Sequence, residues 1–402
     1  MCLGFSAIQV RGPGGPCTHR PRSLAIQNAV KCNIVASAIE FTTPKSLASG
    51  SGGKRFHIGE IVKIYTTAPL EDPRSARTLY PELEAIGYDG AFSFEAKHDP
   101  FLTLAVASEH TQKIRLGTAI AIAFARNPMN LANLGYDMQS ISGGRFVLGL
   151  GTQVRPHIER RFSSVWSKPA KRLREIVLAI RAIWESWENG TRLQFEGEFY
   201  RHTLMIPAFD PGPNPYGPPP IFTGGFGPLM TEVGGEVSDG FITHPFNTRK
   251  SLLENALPAL DRGLEKAGRS RESLEIMCAT LIVTADDEEA LAASKQAAKR
   301  QLAFYGSTPA YLPTLQCHGW DGVHKELNAL SKQGRWDDMT SLITDEILET
   351  IGVVGMRAEI PRLLRERLDG IADSVSLTHN RAPDPGHWAD LVTALKAIES
   401  TA

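Results

Sequence analysis

Several groups able to do chemistry stand just after short apolar runs. Glu95 ends GAFSFE, with His98 and Asp99 close behind in AKHDPF. A carboxylate and an imidazole there suit proton transfer, or a hydrogen bond to a cofactor or substrate. Asp99, directly before Pro100, equally suits a helix cap. Residues 145–162, RFVLGLGTQVRPHIERRF, pass from a nearly continuous apolar run into Gln153, Arg155, His157, Glu159, Arg160 and Arg161. Arg126 follows another apolar run, KIRLGTAIAIAF, and His244 closes GFITH before Pro245. A guanidinium presents a planar fork of donors that fits anions. Arg126, Arg155, His157 and His244 are therefore candidates for a substrate pocket, with Phe124 and Trp166 as its ring-bearing walls. Arg160 and Arg161 read better as surface partners of Glu159.

Two glycine clusters accompany these groups. GLGTQV carries Val154 where a dinucleotide fingerprint requires its third glycine, which argues against a Rossmann site. Thr223-Gly224-Gly225-Phe226-Gly227-Pro228 lies between a strand and a helix. Proline at the first helical position, with glycines before it, leaves backbone N–H groups facing outward. That arrangement suits a phosphate; an ordinary tight turn uses the same residues.

The elements that must position these groups alternate. Strands are expected at 61–67, 90–95, 113–124, 145–151, 220–225, 240–244, 274–284 and 373–379, because each is a short apolar run bounded by turn residues. Helices are expected between them. Asp72-Pro73 and Asn127-Pro128 start two, Gly87 ends the first, and Pro169 opens the longest, with Leu173, Ile176, Val177, Ile180, Ile183, Trp184 and Trp187 on one stripe. DPGPNPYGPPP, 210–220, reads as an extended surface connection. Eight strands alternating with helices favour a (β/α)8 TIM barrel over an open sheet, with a helical insertion at about 286–350 between strands seven and eight. Such a barrel does its chemistry at the carboxyl ends of its strands, where the groups above fall.

The chain has 402 residues, 42% of them hydrophobic and 22% charged, with a net charge of -1. That balance provides no field to recruit nucleic acid or a membrane surface. The five cysteines show no zinc spacing, and read as reduced thiols of a cytoplasmic protein. Residues 1–57 differ, with seven Lys or Arg and one acid. They are expected to form a basic leader, either a disordered tail or an organellar presequence, before a barrel spanning 58–402.

The strings EAKHDPFLTLAVASEHTQKIRLGTAI, RNPMNLA, SGGRFVLGLGTQ and PIFTGGFGP resemble the luciferase-like flavin and deazaflavin oxidoreductases. AIAFARNPM, GLGTQVRPHIERRFSSVWSKPAKRLRE and GEFYRHTLM resemble the subgroup that uses the deazaflavin coenzyme F420. The resemblance implies a cofactor ring across the barrel mouth. It implies a non-proline cis peptide at Ala119-Ile120, next to Thr118. It implies a cofactor lining of Thr118, Ala119, Ile120, Gly151 and Thr152, and a phosphate end at Gly224, Gly225, Phe226 and Gly227. Glu95 matches the family's acid position. Where several members carry a catalytic histidine, this chain has Ala96, and His98 is the nearest histidine.

Three functions follow from that resemblance. The first is hydride transfer between coenzyme F420 and a small organic substrate. The second is an FMN-dependent monooxygenase fed by a separate reductase. The third is a barrel that carries the cofactor without turnover. A small-molecule substrate is the expected partner, and a homodimer is expected from the family; nucleic acid, membrane and metal are not expected.

Overall fold

The computed structural model describes residues 63–68, 72–379 and 385–397. The expected leader and its boundary with the barrel lie outside the described residues.

Eight parallel strands close on themselves: β1 Lys63–Thr67, β2 Gly90–Ser93, β3 Arg115–Thr118, β4 Phe146–Gly151, β5 Ile221–Gly224, β6 Gly240–Ile242, β7 Glu275–Ala285 and β8 Ser374–His379. Closure is complete because β8 pairs with both β7 and β1, and β7 also pairs with β6. The helices are α1 Ala76–Ile86, α2 Pro100–His110, α3 Pro128–Ile141, α4 Pro169–Asn189, α5 Pro228–Val237, α6 Leu257–Lys266, α7 Ile360–Leu368 and α8 Pro385–Ala397. This is the expected (β/α)8 barrel.

Local signals set the helix boundaries. The Asp99 carboxylate accepts from Phe101 N at 2.9 Å, and Asn127 Oδ1 accepts from Met129 N at 2.8 Å. Gly87 ends α1 with φ 102°. The apolar stripe of α4 is buried from Leu173 to Trp187. The proline-rich connection at 210–220 has no strand or helix, but it is pinned: Asn214 N donates to Tyr136 Oη at 2.8 Å.

Between β7 and α7 runs the expected helical insertion. Its main helices are Glu288–Gly306, Asp321–Lys332 and Asp345–Ile351. It has a core of its own, with Leu302, Leu315, Leu327, Met339 and Leu348 packed around Phe246 from the β6–α6 connection.

The barrel interior alternates large and absent side chains. Tyr65, Phe92 and Phe222 fill it, and glycines stand opposite their rings. A Cβ at Gly117 would lie 2.5 Å from Phe92, and one at Gly240 the same distance from Phe222. At the amino-terminal end of the strands, Glu275 gathers four donors: Arg115 Nη1 at 2.8 Å, Lys63 Nζ at 3.0 Å, Tyr65 Oη at 2.9 Å and Ser374 Oγ at 2.9 Å.

Candidate active site

The third strand is shorter than its apolar run implies. Leu116 and Gly117 face Phe146 and Val147, while Ala121 and Ile122 face Leu150 and Gly151. Residues 118–120 of β3 therefore oppose only 148 and 149 of β4. This is a bulge, and it lies at the barrel mouth. The Ala119–Ile120 peptide at its centre is cis, as the family resemblance implies. Ala119 and Ile120 are half-buried against the barrel core.

Every neighbour of the bulge contributes to holding it. From β2, Ser93 O accepts from Ala119 N at 2.8 Å, and Glu95 N donates to Ile120 O at 3.1 Å. Glu95 Oε2 accepts from Ile122 N at 2.8 Å and from Arg126 Nη1 at 2.5 Å. Arg126 Nη2 also donates to Asp99 Oδ2 at 2.7 Å. Burial alone would lower the Arg126 pKa, but the hydrogen bonds and charges of Glu95 and Asp99 hold it above its ordinary value. Glu95 and Arg126 are thus one ion pair that clamps the loop after β3. Glu95 Oε1 makes no hydrogen bond among the described residues.

On the β4 side the glycines serve the bulge. A Cβ at Gly149 would lie 1.7 Å from Thr118 O, and one at Gly151 would lie 2.8 Å from Ile120 Cγ1. Thr118 is fully buried; its hydroxyl donates to Gly149 O at 2.6 Å and accepts from Gly149 N at 2.9 Å. Thr118 was expected to line the cofactor. It instead bridges β3 to β4, where the bulge leaves the ladder incomplete.

A second feature lies at the ends of β5 and β6. Gly227 caps α5 with φ 85° and ψ 157°, a conformation open essentially to glycine alone, and supplies no side-chain cap. By helix geometry, Leu229 and Met230 N–H have no acceptor within the helix. This end of α5 opens on a cavity of about 510 Å³, lined also by Phe226, His244, Asn247 and Thr314. The His244 ring stacks on Tyr311 at 4.3 Å and meets the edge of Tyr305 at 4.8 Å, both from the insertion. Phe226 packs against Tyr311 at 5.1 Å.

A bulged third strand beside a glycine-led α5 on a closed barrel is the arrangement that the family resemblance implies. Residues 55–374 match the family model described as luciferase-like monooxygenase. The chain belongs to that family. An uncharacterized protein of Mycobacterium bovis is 52% identical over 293 residues, covering 73% of this chain and 86% of the relative. A putative coenzyme F420-dependent oxidoreductase of Mycobacterium tuberculosis is 29% identical over 301 residues, 71% of this chain and 85% of that one. In fold, this chain is similar to the coenzyme F420 dependent tetrahydromethanopterin reductase of Methanopyrus kandleri, with a TM-score of 0.68 over 82% of this chain and 97% of that one at 20% identity.

Within this luciferase-like barrel the remaining candidates separate. Gly224, Gly225, Phe226 and Gly227 are all half-buried at the end of β5. The bare Cα of Gly225 makes room for protein, since a Cβ there would lie 2.1 Å from Met230 Cγ. Thr152 is half-buried at the end of β4, and its hydroxyl donates to Gln153 O at 3.0 Å. Phe124 is 1% exposed and lies under the Arg172 guanidinium at 4.4 Å, so it is core and not a pocket wall. Trp166 covers it at 5.4 Å.

Arg155 and His157 lie in the segment that follows β4. Both are exposed, and Arg155 donates to Glu159 Oε1 at 2.9 Å. A one-turn π-helix at His157–Arg161 buries Ile158 and leaves the His157 side chain exposed. Glu159 therefore pairs with Arg155, whereas Arg161 donates to Ala96 O at 2.7 Å. His98 is exposed too, within electrostatic reach of Asp72. Tyr305 and Tyr311 lie in the insertion with no motif around them, so no sequence signal marks them.

Proposed function

We propose that this luciferase-like barrel is an oxidoreductase that moves a hydride between coenzyme F420 and a small organic substrate. The observation that carries the reading is the β3 bulge, gripped by β2, by Glu95 and by Thr118, at the mouth of a barrel whose relatives include a putative F420-dependent oxidoreductase. The residues present fit a flat ring with a phosphate-bearing arm. Ala119 and Ile120 form a rigid ledge, with Gly151 and Gly224 on the strands beside it. Leu229 and Met230 at the uncapped start of α5 offer backbone donors for a phosphate, the arrangement in which a helix start holds an anion well.

When bound, the deazaflavin supplies the centre that gives or takes a hydride. The chain must supply placement and a proton site. Glu95 Oε2 fixes the ledge through Ile122 N, so the ring rests on a surface with little freedom to shift. Glu95 Oε1 remains open to accept a hydrogen bond from the reacting groups. The loop after β4 forms the wall nearest the substrate. Its backbone is unusual: Gln153, Ser163 and Lys168, with φ of 61°, 51° and 35°, are the non-glycine residues with positive φ among the described ones. Such conformations concentrate at functional sites.

The test is anaerobic mixing of the full chain and reduced F420 with a panel of small carbonyl and alkene acceptors, following cofactor oxidation. Turnover that Glu95→Gln slows without loss of cofactor binding is the expected result. Oxygen-dependent product formation with reduced FMN, and none with F420, would instead make the protein a monooxygenase served by a separate reductase. Binding with no turnover of any acceptor would make it a carrier.

A further inference from the structure

The buried polar side chains that line the cavity beside α5 are already engaged, whereas Glu254 and Gln316 on its lining are exposed. The Thr231 hydroxyl donates to Gly227 O at 2.9 Å. Thr243 Oγ1 accepts from Ala279 N at 3.2 Å, and Asn247 Nδ2 donates to Ala279 O at 3.1 Å. Ser251 forms a reciprocal cap with Thr248, and Thr314 Oγ1 donates to Phe246 O at 3.0 Å. His244 is different. Its Nδ1 accepts from Phe246 N at 3.1 Å. An acceptor at Nδ1 fixes the tautomer of a neutral ring and leaves the proton on Nε2. Nε2 has no hydrogen-bond partner among the described residues, and it is not among the buried atoms shut off from the cavity.

The ring cannot easily turn away, because Tyr311 stacks on it and Tyr305 meets it edge-on. Burial also pushes its pKa down to about 3, so the imidazole stays neutral and Nε2–H remains a donor across the physiological range. Phe226, two residues before α5, lies 6.4 Å from the imidazole, so this donor and the start of α5 open on the same space. We propose that His244 Nε2–H is a ligand-binding donor that grips a phosphate oxygen of the cofactor's side arm, opposite the backbone donors of α5. The insertion then has a defined role: Tyr305 and Tyr311 hold that donor in place. This inference rests on the reading of the barrel as a cofactor-binding enzyme.

The test is a fluorescence titration of the full chain with two probes. One is coenzyme F420, and the other is its deazaflavin ring with the ribityl chain but no phosphate. His244→Phe keeps the ring stack and removes the donor, while His244→Gln keeps a donor; a thermal melt shows whether each variant is folded. His244→Phe should weaken F420 binding by about tenfold or more, as expected for one hydrogen bond to an anion, and leave the phosphate-free ring unaffected. His244→Gln should recover part of the loss. Equal losses for both probes, or no loss for either, would overturn the assignment of His244 alone. If the unaltered chain binds neither probe, the underlying F420 reading fails and the proposal falls with it. Should His244→Phe not fold, His244→Gln decides: a loss of F420 affinity with the phosphate-free ring unaffected is then expected, and equal losses for both probes, or no loss for either, would contradict the proposal.

Discussion

The two ends of the barrel are built from similar materials to opposite effect. At the amino-terminal end, Glu275 receives Arg115, Lys63, Tyr65 and Ser374, so both carboxylate oxygens are engaged. Burial alone would raise its pKa, but the charges and hydrogen bonds of Arg115 and Lys63 hold it below the ordinary value. At the carboxyl end, polar groups are left with one side open. Among the described residues, Glu95 uses Oε2 for the bulge and leaves Oε1 without a partner, His244 uses Nδ1 and leaves Nε2, and α5 begins without a side-chain cap. A closed network stabilises; a half-open one is positioned by the protein and completed by a ligand. The division matches the general separation in such barrels between a structural end and a reactive one.

The largest effect expected from that contrast is on stability. Glu275→Ala leaves Arg115 half-buried without its carboxylate, and should cost about 3–5 kcal/mol in denaturant unfolding. Cofactor affinity of the protein that remains folded should be unchanged; a parallel loss of affinity would show that the two ends are not independent. Glu95→Ala should reverse the pattern. It loosens the ledge, and the cofactor dissociation constant should rise about tenfold or more, with a smaller stability loss of about 1–3 kcal/mol because Arg126 retains Asp99.

Acid should act on both ends with the same sign. The His244 pKa falls from its ordinary 6.5 to about 3 in the folded chain, so the unfolded chain binds the extra proton between those values. Stability contributed by the neutral ring is therefore lost as pH drops below 6.5, by up to about 1.4 kcal/mol per pH unit for one proton. The depressed Glu275 carboxyl adds a further loss as pH falls below its ordinary 4.5. Denaturant midpoints of the full chain and of His244→Phe between pH 7 and 5 should diverge, the variant falling less steeply. The smallest effect belongs to Arg155→Ala. Its partner is an exposed Glu159, and both stability and cofactor affinity should change by no more than about 0.5 kcal/mol.

The difference between the ends also explains what could be read from the sequence. The strands were legible because buried parallel strands are short apolar runs, and the helices because Asp99, Asn127 and Gly87 mark their ends. The cis position at Ala119-Ile120 came from the family resemblance; nothing in LGTAI signals it by composition. The strand at 113–124 reads as one element because its apolar character continues through the bulge, and only pairing with β4 reveals three residues facing two. Side-chain partners were not legible. Glu95 and Arg126 were separate candidates until the fold brought them into one ion pair. Thr118 and Phe124 have the right types and the right neighbourhood for a site, yet both are inside the wall. Arg155 and His157 follow the right strand, yet both side chains are exposed, and Arg155 is held by Glu159. His244 was legible as a strand-end histidine, whereas the two tyrosines that fix its ring come from a helical insertion more than sixty residues later.

The most direct test of the central claim is a fluorescence titration of the purified full chain with coenzyme F420 and, in parallel, with FMN at low salt. The account predicts saturable binding of F420 that is clearly tighter than that of FMN. Preference for FMN, or binding of neither, would contradict it.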